Sequence, residues 1–293
     1  MKTKLSKKLS PLAIGLCVVL SLYVLVMFSM LAWALLTASK AYKWDYISLM
    51  GDGNKWGFPK KFVLFKNIAA LNTIFTDSLW KIAFNTIAYS IGCSLIKVVV
   101  TCIVAYLCAR YNNRVSKIVY NVVIVTMIIP VVGNQAAEIK MARLLHLYNH
   151  IWGMWLMRAN FLGMYFLVFH SVFKSMPDGY YEAARIDGAN DWQIMCRIAL
   201  PLVKYTFLSI FLIIFIEYWN DYLVPNLYLP DYRTLSLALY QQAADKIKLK
   251  GKGYDGAPYV MSTALLISAP MILIFSIFNK RLMGNLSVGG LKG

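Results

Sequence analysis

The stretch YYEAARIDGANDWQIMCRIALPL, Tyr180 to Leu202, carries five charged side chains and a glycine turn in a chain that is 59% hydrophobic. Two helices and a turn fit it. Ser175 with Asp178 three residues on forms a capping-box pattern, with Pro177 in the first turn where its missing N–H costs nothing. Gly188 supplies the left-handed conformation that ends a first helix, and Asn190 with Gln193 caps a second one that Pro201 closes. The second helix places Trp192, Met195, Cys196 and Ala199 in one apolar row and leaves Gln193 and Arg197 as a narrow polar strip. Ala183 and Ala184 give the first helix a surface without bulk beside Glu182. A partner's backbone fits there while the carboxylate meets a cation. An amphipathic hairpin lying on a membrane satisfies the same pattern.

The surrounding sequence places this hairpin in a membrane protein. Only 15% of the 293 residues are charged, and the mean hydropathy is +0.58. Pro11 to Leu36 runs 26 residues without a charge, which at about 1.5 Å per residue exceeds the roughly 30 Å hydrocarbon layer. Lys2, Lys4, Lys7 and Lys8 before it resemble the basic start of a signal peptide, and Ala32-Trp33-Ala34 a cleavage site. The apolar run is too long for one and reads as an uncleaved anchor. Five further apolar stretches follow at Ile82 to Cys108, Ile118 to Ala137, Ile151 to Phe173, Tyr205 to Pro225 and Tyr259 to Phe278. The expected fold is all-α and polytopic with six transmembrane helices, a single transmembrane domain over 1–293. Residues 37–81 and 226–258 are external loops and 175–201 the hairpin.

The net charge of +17 would suggest nucleic acid in a soluble protein. Here the basic residues are spread through the loops, where headgroups and helix orientation account for them. They divide almost evenly between the two sides, so only their density in the shorter segments favours a cytoplasmic N-terminus. The five cysteines lack any close pairing motif and indicate neither a disulfide framework nor a metal site. Gly251-Lys252-Gly253 lacks the spacing of a phosphate-binding loop.

The order Glu182-Ala183-Ala184, Gly188, Ile198, Leu200-Pro201 resembles the coupling-loop motif of ABC importer permeases at every fixed position. Phe84-Asn85-Thr86, Trp219-Asn220-Asp221 and the tail Gly289-Gly290-Leu291-Lys292-Gly293 extend the likeness to the smaller membrane subunit of maltose-type carbohydrate importers. The resemblance implies a type I importer permease, with the hairpin a cytoplasmic coupling helix seated in a cleft of an ATP-binding subunit and Glu182 facing a basic residue there. It implies Gly289 and Gly290 in the same contact and both termini in the cytoplasm. The implied partners are a larger second permease, an ATPase dimer that carries ATP and Mg, and an extracytoplasmic solute-binding protein. No cofactor or catalytic residue is then expected on this chain. The basic loop from Gln241 to Pro258 corresponds to an external segment that can reach the binding protein, and a plain solvated loop fits it equally.

Ionisable groups within spans mark function or helix pairing. Glu217, Asn220 and Asp221, with Tyr218 and Trp219 beside them, suit a cavity that offers hydroxyl-rich sugars acceptors and ring faces. An outer-interface cluster holding helices together is the plainer reading. Asn134, Gln135 and Asn160 are weaker cavity candidates. Lys97 pairs with Glu217 or Asp221, or snorkels. Gly92, Pro130, Gly133 and Pro270 are kink or flexing points. Two other functions compete: a proton-coupled secondary transporter using Glu217 or Asp221, and an intramembrane transferase using Asp178, Glu182, Asp187 and Asp191. An importer permease for a non-sugar solute is a third alternative.

Overall fold

A computed structural model describes residues 11–46, 54–75, 77–111, 113–129, 133–244 and 256–286. Gly289, Gly290, Pro130, Lys2, Lys4, Lys7, Lys8 and residues 245–255 of the basic loop lie outside them. Every regular element described is helical, and the chain groups into two compact units.

The first unit comprises residues up to 76 and 242–269. Helix α1 (Pro11–Ala38) buries only Thr37 and Ala38. Its leucines, valines and Phe28 point outward along the length, as suits a helix bathed in lipid. The segment beyond it, expected as an external loop, is built around side-chain hydrogen bonds. Asn67, on helix α2 (Leu64–Ile74), donates to the carbonyls of Ala38 and Lys40 at 2.7 and 2.9 Å. The buried Lys40 donates through Nζ to the carbonyls of Asn54 and Lys55. Polar atoms close this unit because backbone carbonyls at a helix end need donors once water is excluded.

The second unit comprises residues 77–241 and 270 onward, and helix α3 (Leu79–Arg110) runs through its core. Ser78 caps α3 by accepting from the Lys81 N–H. Along it the hydroxyls of Thr86, Ser90, Ser94 and Thr101 donate back to carbonyls one turn earlier, so hydroxylic residues are buried without an orphaned donor. Small residues let neighbouring helices approach. At Gly92 an added Cβ would overlap the Trp155 indole, whose Nε1 donates to the Ala88 carbonyl at 3.1 Å. Gly92→Ala is therefore expected to destabilise the protein by about 1–3 kcal/mol, read as a lowered melting temperature in detergent.

The six apolar stretches are present, but among the described residues only three are unbroken helices long enough to cross a membrane: Pro11–Ala38, Leu79–Arg110 and Ala257–Phe278. The last belongs to helix α14 (Ala257–Leu286), which continues through Pro270. The third stretch is divided into α4 (Arg114–Ile128) and α5 (Gln135–Leu144), with Gly133 at φ 83° between them. The fourth divides into α6 (Ile151–Met157) and α7 (Met164–Lys174), with Gly163 at φ 123° in the break. Positive φ suits glycine and interrupts a right-handed helix. The hairpin supplies α8 (Gly179–Ile186), α9 (Asp191–Ile194) and α10 (Leu200–Leu202). The fifth stretch is α11 (Lys204–Asn220), bent by 73° from Asp191–Leu202. It breaks before α12 (Leu223–Tyr228) because the Asp221 carboxylate accepts from the Leu223 and Val224 N–H groups and starts a new helix. Residues 226–258, expected as an external loop, contain α13 (Leu235–Ala244). Broken backbone at membrane depth is tolerated where protein or a water-filled cavity surrounds it.

Candidate functional site

The hairpin's turn has the predicted conformation. Gly188 has φ 76°, and its N–H bonds the Arg185 carbonyl at 3.0 Å while the Ala189 N–H bonds that of Ala184 at 2.9 Å. These two bonds form a Schellman motif. Asn190 and Gln193 then make a reciprocal capping box, at 2.8 and 3.0 Å. The first helix starts differently from the sequence expectation. Ser175 Oγ donates backward to the Val172 carbonyl, so it closes α7 instead of capping α8. Asp178 makes no cap; its carboxylate accepts from Arg110 Nη1 at 2.7 Å. The same guanidinium lies 3.8 Å above the Tyr181 ring.

The two alanines part company. Ala184 is buried with Tyr181, Ile194, Met195 and Ala199 in a core shared with Tyr106 of α3, whereas Ala183 is exposed beside Glu182. Trp192, expected in the inner row, is 66% exposed, and Ile194 takes its place inside. A wider π-type turn over Met195–Ala199 explains the exchange. In a regular α-helix Ile194 and Ala199 would point about 140° apart; the extra residue in the turn brings them onto one face. Ile198 and Leu200 are half-buried against that core and Pro201 is exposed ahead of the bend. The outer face thus presents Tyr180, Glu182, Ala183, Ile186 (87% exposed) and Trp192.

A second group of polar residues gathers between α3, the α6–α7 break and α11. Tyr89 donates to Asp221 at 2.8 Å, and its ring meets the edge of Tyr218 with centroids 5.8 Å apart. Tyr165 donates to Glu217 at 2.9 Å, and Lys97 Nζ stands 5.9 Å from the Tyr218 ring centroid. Thr101 ties the break to α3 by donating to the carbonyls of both Lys97 and Asn160, at 2.7 and 3.3 Å. Asn220 is exposed and donates to the Ile216 carbonyl. Trp219 offers no open ring face: it is 4% exposed and packs against Phe215. Asn134 donates to Glu138, which also accepts from Tyr228 at 2.9 Å. Sequence reasoning passed over Tyr89, Glu138, Tyr228 and Arg158. The signal for Arg158 was present, since it is an ionisable residue within the fourth apolar stretch, the criterion that singled out Lys97.

The family model described as "binding-protein-dependent transport system inner membrane component" matches residues 97–284, which include the hairpin and the polar group. The melibiose/raffinose/stachyose import permease MelC of Bacillus subtilis is 27% identical over 263 residues, 89% of this chain and 90% of the relative. The sn-glycerol-3-phosphate transport system permease UgpE of Escherichia coli is 26% identical over 212 residues, 72% of this chain and 74% of the relative. A solved bacterial ABC transporter involved in import of the acidic polysaccharide alginate superposes with a TM-score of 0.76, at 20% identity over 92% of this chain and 95% of that one. With a matched model covering most of its length and an all-helical membrane fold like that of a solved ABC transporter, this chain belongs to the family of binding-protein-dependent transport system inner membrane components.

Proposed function

We propose that the chain is one half of a membrane heterodimer that moves a sugar or oligosaccharide into the cell by alternating access, driven by ATP and Mg on a separate ATPase. The hairpin 175–201 docks in the ATPase cleft from the cytoplasmic side, which also places both termini there. Glu182, Ala183 and Gly188 make or shape the contact, with Ile198, Leu200 and Pro201 holding the hairpin to the helices, and Gly289 and Gly290 joining it from the tail. The second, larger permease subunit and an extracytoplasmic binding protein complete the assembly. The sugar assignment draws support from the saccharides named for MelC and the alginate named for the solved transporter.

One observation carries this reading. The hairpin's inner face is locked into the core while large apolar side chains and one carboxylate stand exposed on its outer face, as a docking surface requires. Co-expressing the chain with its genomic neighbours tests it: the ATPase should co-purify and hydrolyse ATP faster when sugar and binding protein are added to proteoliposomes. Uptake by this chain alone, following a pH gradient, would establish the secondary-transporter alternative instead.

Asn220 and Asp221 test the cavity. Asn220→Ala and Asp221→Asn are expected to change sugar-stimulated hydrolysis or apparent affinity several-fold with the ATPase still bound. Unchanged uptake in both variants returns these residues to a helix-pairing role.

A further inference from the structure

The polar group of the second unit contains charges of both signs, and they are satisfied unequally. Glu217, Asp221 and Glu138 each accept a hydrogen bond from a tyrosine, and Asp221 accepts two backbone N–H groups as well. Lys97 and Arg158 have nothing comparable. Among the described residues, no carboxylate lies within 4.0 Å of either. Among the same residues Arg158 Nε is buried without any acceptor, and Lys97 Nζ has only the Tyr218 ring.

The two cations stand on segments bonded to each other. Arg158 opens the α6–α7 break that Thr101 ties to the Lys97 turn of α3. Glu217, on α11, is held by Tyr165. A guanidinium has five donors and an ammonium three. A buried donor left unmade is costly, and an ionisable side chain at membrane depth without a structural partner points to a ligand.

We propose that Lys97 and Arg158 form an anion-recognising pair in the transport cavity and that the substrate is an acidic sugar, bearing a carboxylate or a phosphate. The inference rests on the permease function above and narrows its substrate class. The planar fork of Arg158 suits two oxygens of either group, with Lys97 as the adjoining point charge. Tyr89 and Tyr218 border the site as ring surfaces, and Glu217 and Asp221 supply acceptors for hydroxyls. A neutral sugar leaves both cations unsatisfied, and a site built to pair a charged group discriminates strongly against an analogue without it.

The test uses the assembled complex of this chain, the second permease and the ATPase, in detergent without the solute-binding protein. Binding of digalacturonate, glucose 6-phosphate and neutral cellobiose is measured by intrinsic fluorescence and by the shift in melting temperature. At least one anionic probe should bind at least about tenfold more tightly than cellobiose; a response to digalacturonate alone assigns a carboxylate, and to glucose 6-phosphate alone a phosphate. Arg158→Gln and Lys97→Gln should each erase most of that preference, and Lys97→Arg should retain it. Equal binding of cellobiose, no binding of any probe, or an unaltered preference in both glutamine variants overturns the inference. The wild-type comparison decides even where a variant fails to assemble. Co-purification of the ATPase reports separately on the permease assignment: a complex that fails to assemble strikes that reading, and an assembled complex indifferent to charge strikes only this one.

Discussion

Glu182→Lys is expected to release the ATPase from this chain, weakening co-purification more than about a hundredfold. Glu182 is exposed in the first turn of α8, and its side chain makes no hydrogen bond or ion pair among the described residues. Within the chain its contribution is that of a carboxylate near a positive helix end, about 0.3–1 kcal/mol. Docked against a cation in a partly desolvated cleft, reversal of its charge costs several kcal/mol through repulsion and an unpaired charge. The two contributions separate cleanly. A helix-terminal role predicts a slightly lower melting temperature with docking intact, and a docking role predicts loss of both the ATPase and sugar-stimulated hydrolysis. Glu182→Gln should be milder, and reversing the facing basic residue of the ATPase should partly restore the lysine variant, since direct pairing predicts that reciprocity. Retention of the ATPase by Glu182→Lys would shift docking onto Ala183, Ile186 and Trp192.

Gly188→Val should reduce transport below about a tenth of wild type while the chain remains in the membrane. Space is not the obstacle, because a Cβ at Gly188 meets nothing within 4 Å. The obstacle is φ 76°, which a β-branched residue adopts only at a cost of about 1–3 kcal/mol. Relaxing that strain breaks the bonds from Gly188 and Ala189 to Arg185 and Ala184 and turns α8 relative to Asn190 and α9. Gly188→Asn, which tolerates the left-handed region, should retain most of the activity. Wild-type uptake by the valine variant at normal expression would show that the turn has no part in coupling.

The turn was legible because its determinants are local: a glycine after a helix, then Asn190 and Gln193 three residues apart. Its faces were not, since which of Ala183 and Ala184 points inward is decided by where Tyr106 and Phe173 stand, and Trp192 was displaced by a π-type turn that periodicity of 3.6 does not anticipate. The apolar stretches were legible as stretches, because hydropathy reports burial in lipid. Hydropathy averages over interruptions, so the breaks at Gly163 and Asp221 did not register. Lys97 stood out as a charge in a span, but that its ammonium has no hydrogen bond or ion pair among the described residues follows from distances that only the folded chain has.

Helix α3 has 32 residues, about 48 Å at 1.5 Å per residue. One end packs, through Ala105 and Tyr106, against Tyr181 and Ala184 of the hairpin, and Arg110 reaches Asp178 there. Lys97 lies on the same rod, thirteen residues and about 20 Å from Arg110, with Tyr89 about two turns farther along. A tilt of about 10° imposed at the hairpin moves Lys97 by about 3.5 Å on so long an arm, more than the reach of a hydrogen bond tolerates. Arg158 is carried with it, because Trp155 and Thr101 tie α6 and the break after it to α3. A lever of this kind needs no relay of side chains: displacing the hairpin moves Lys97 and Arg158 together, and whatever they hold travels with them.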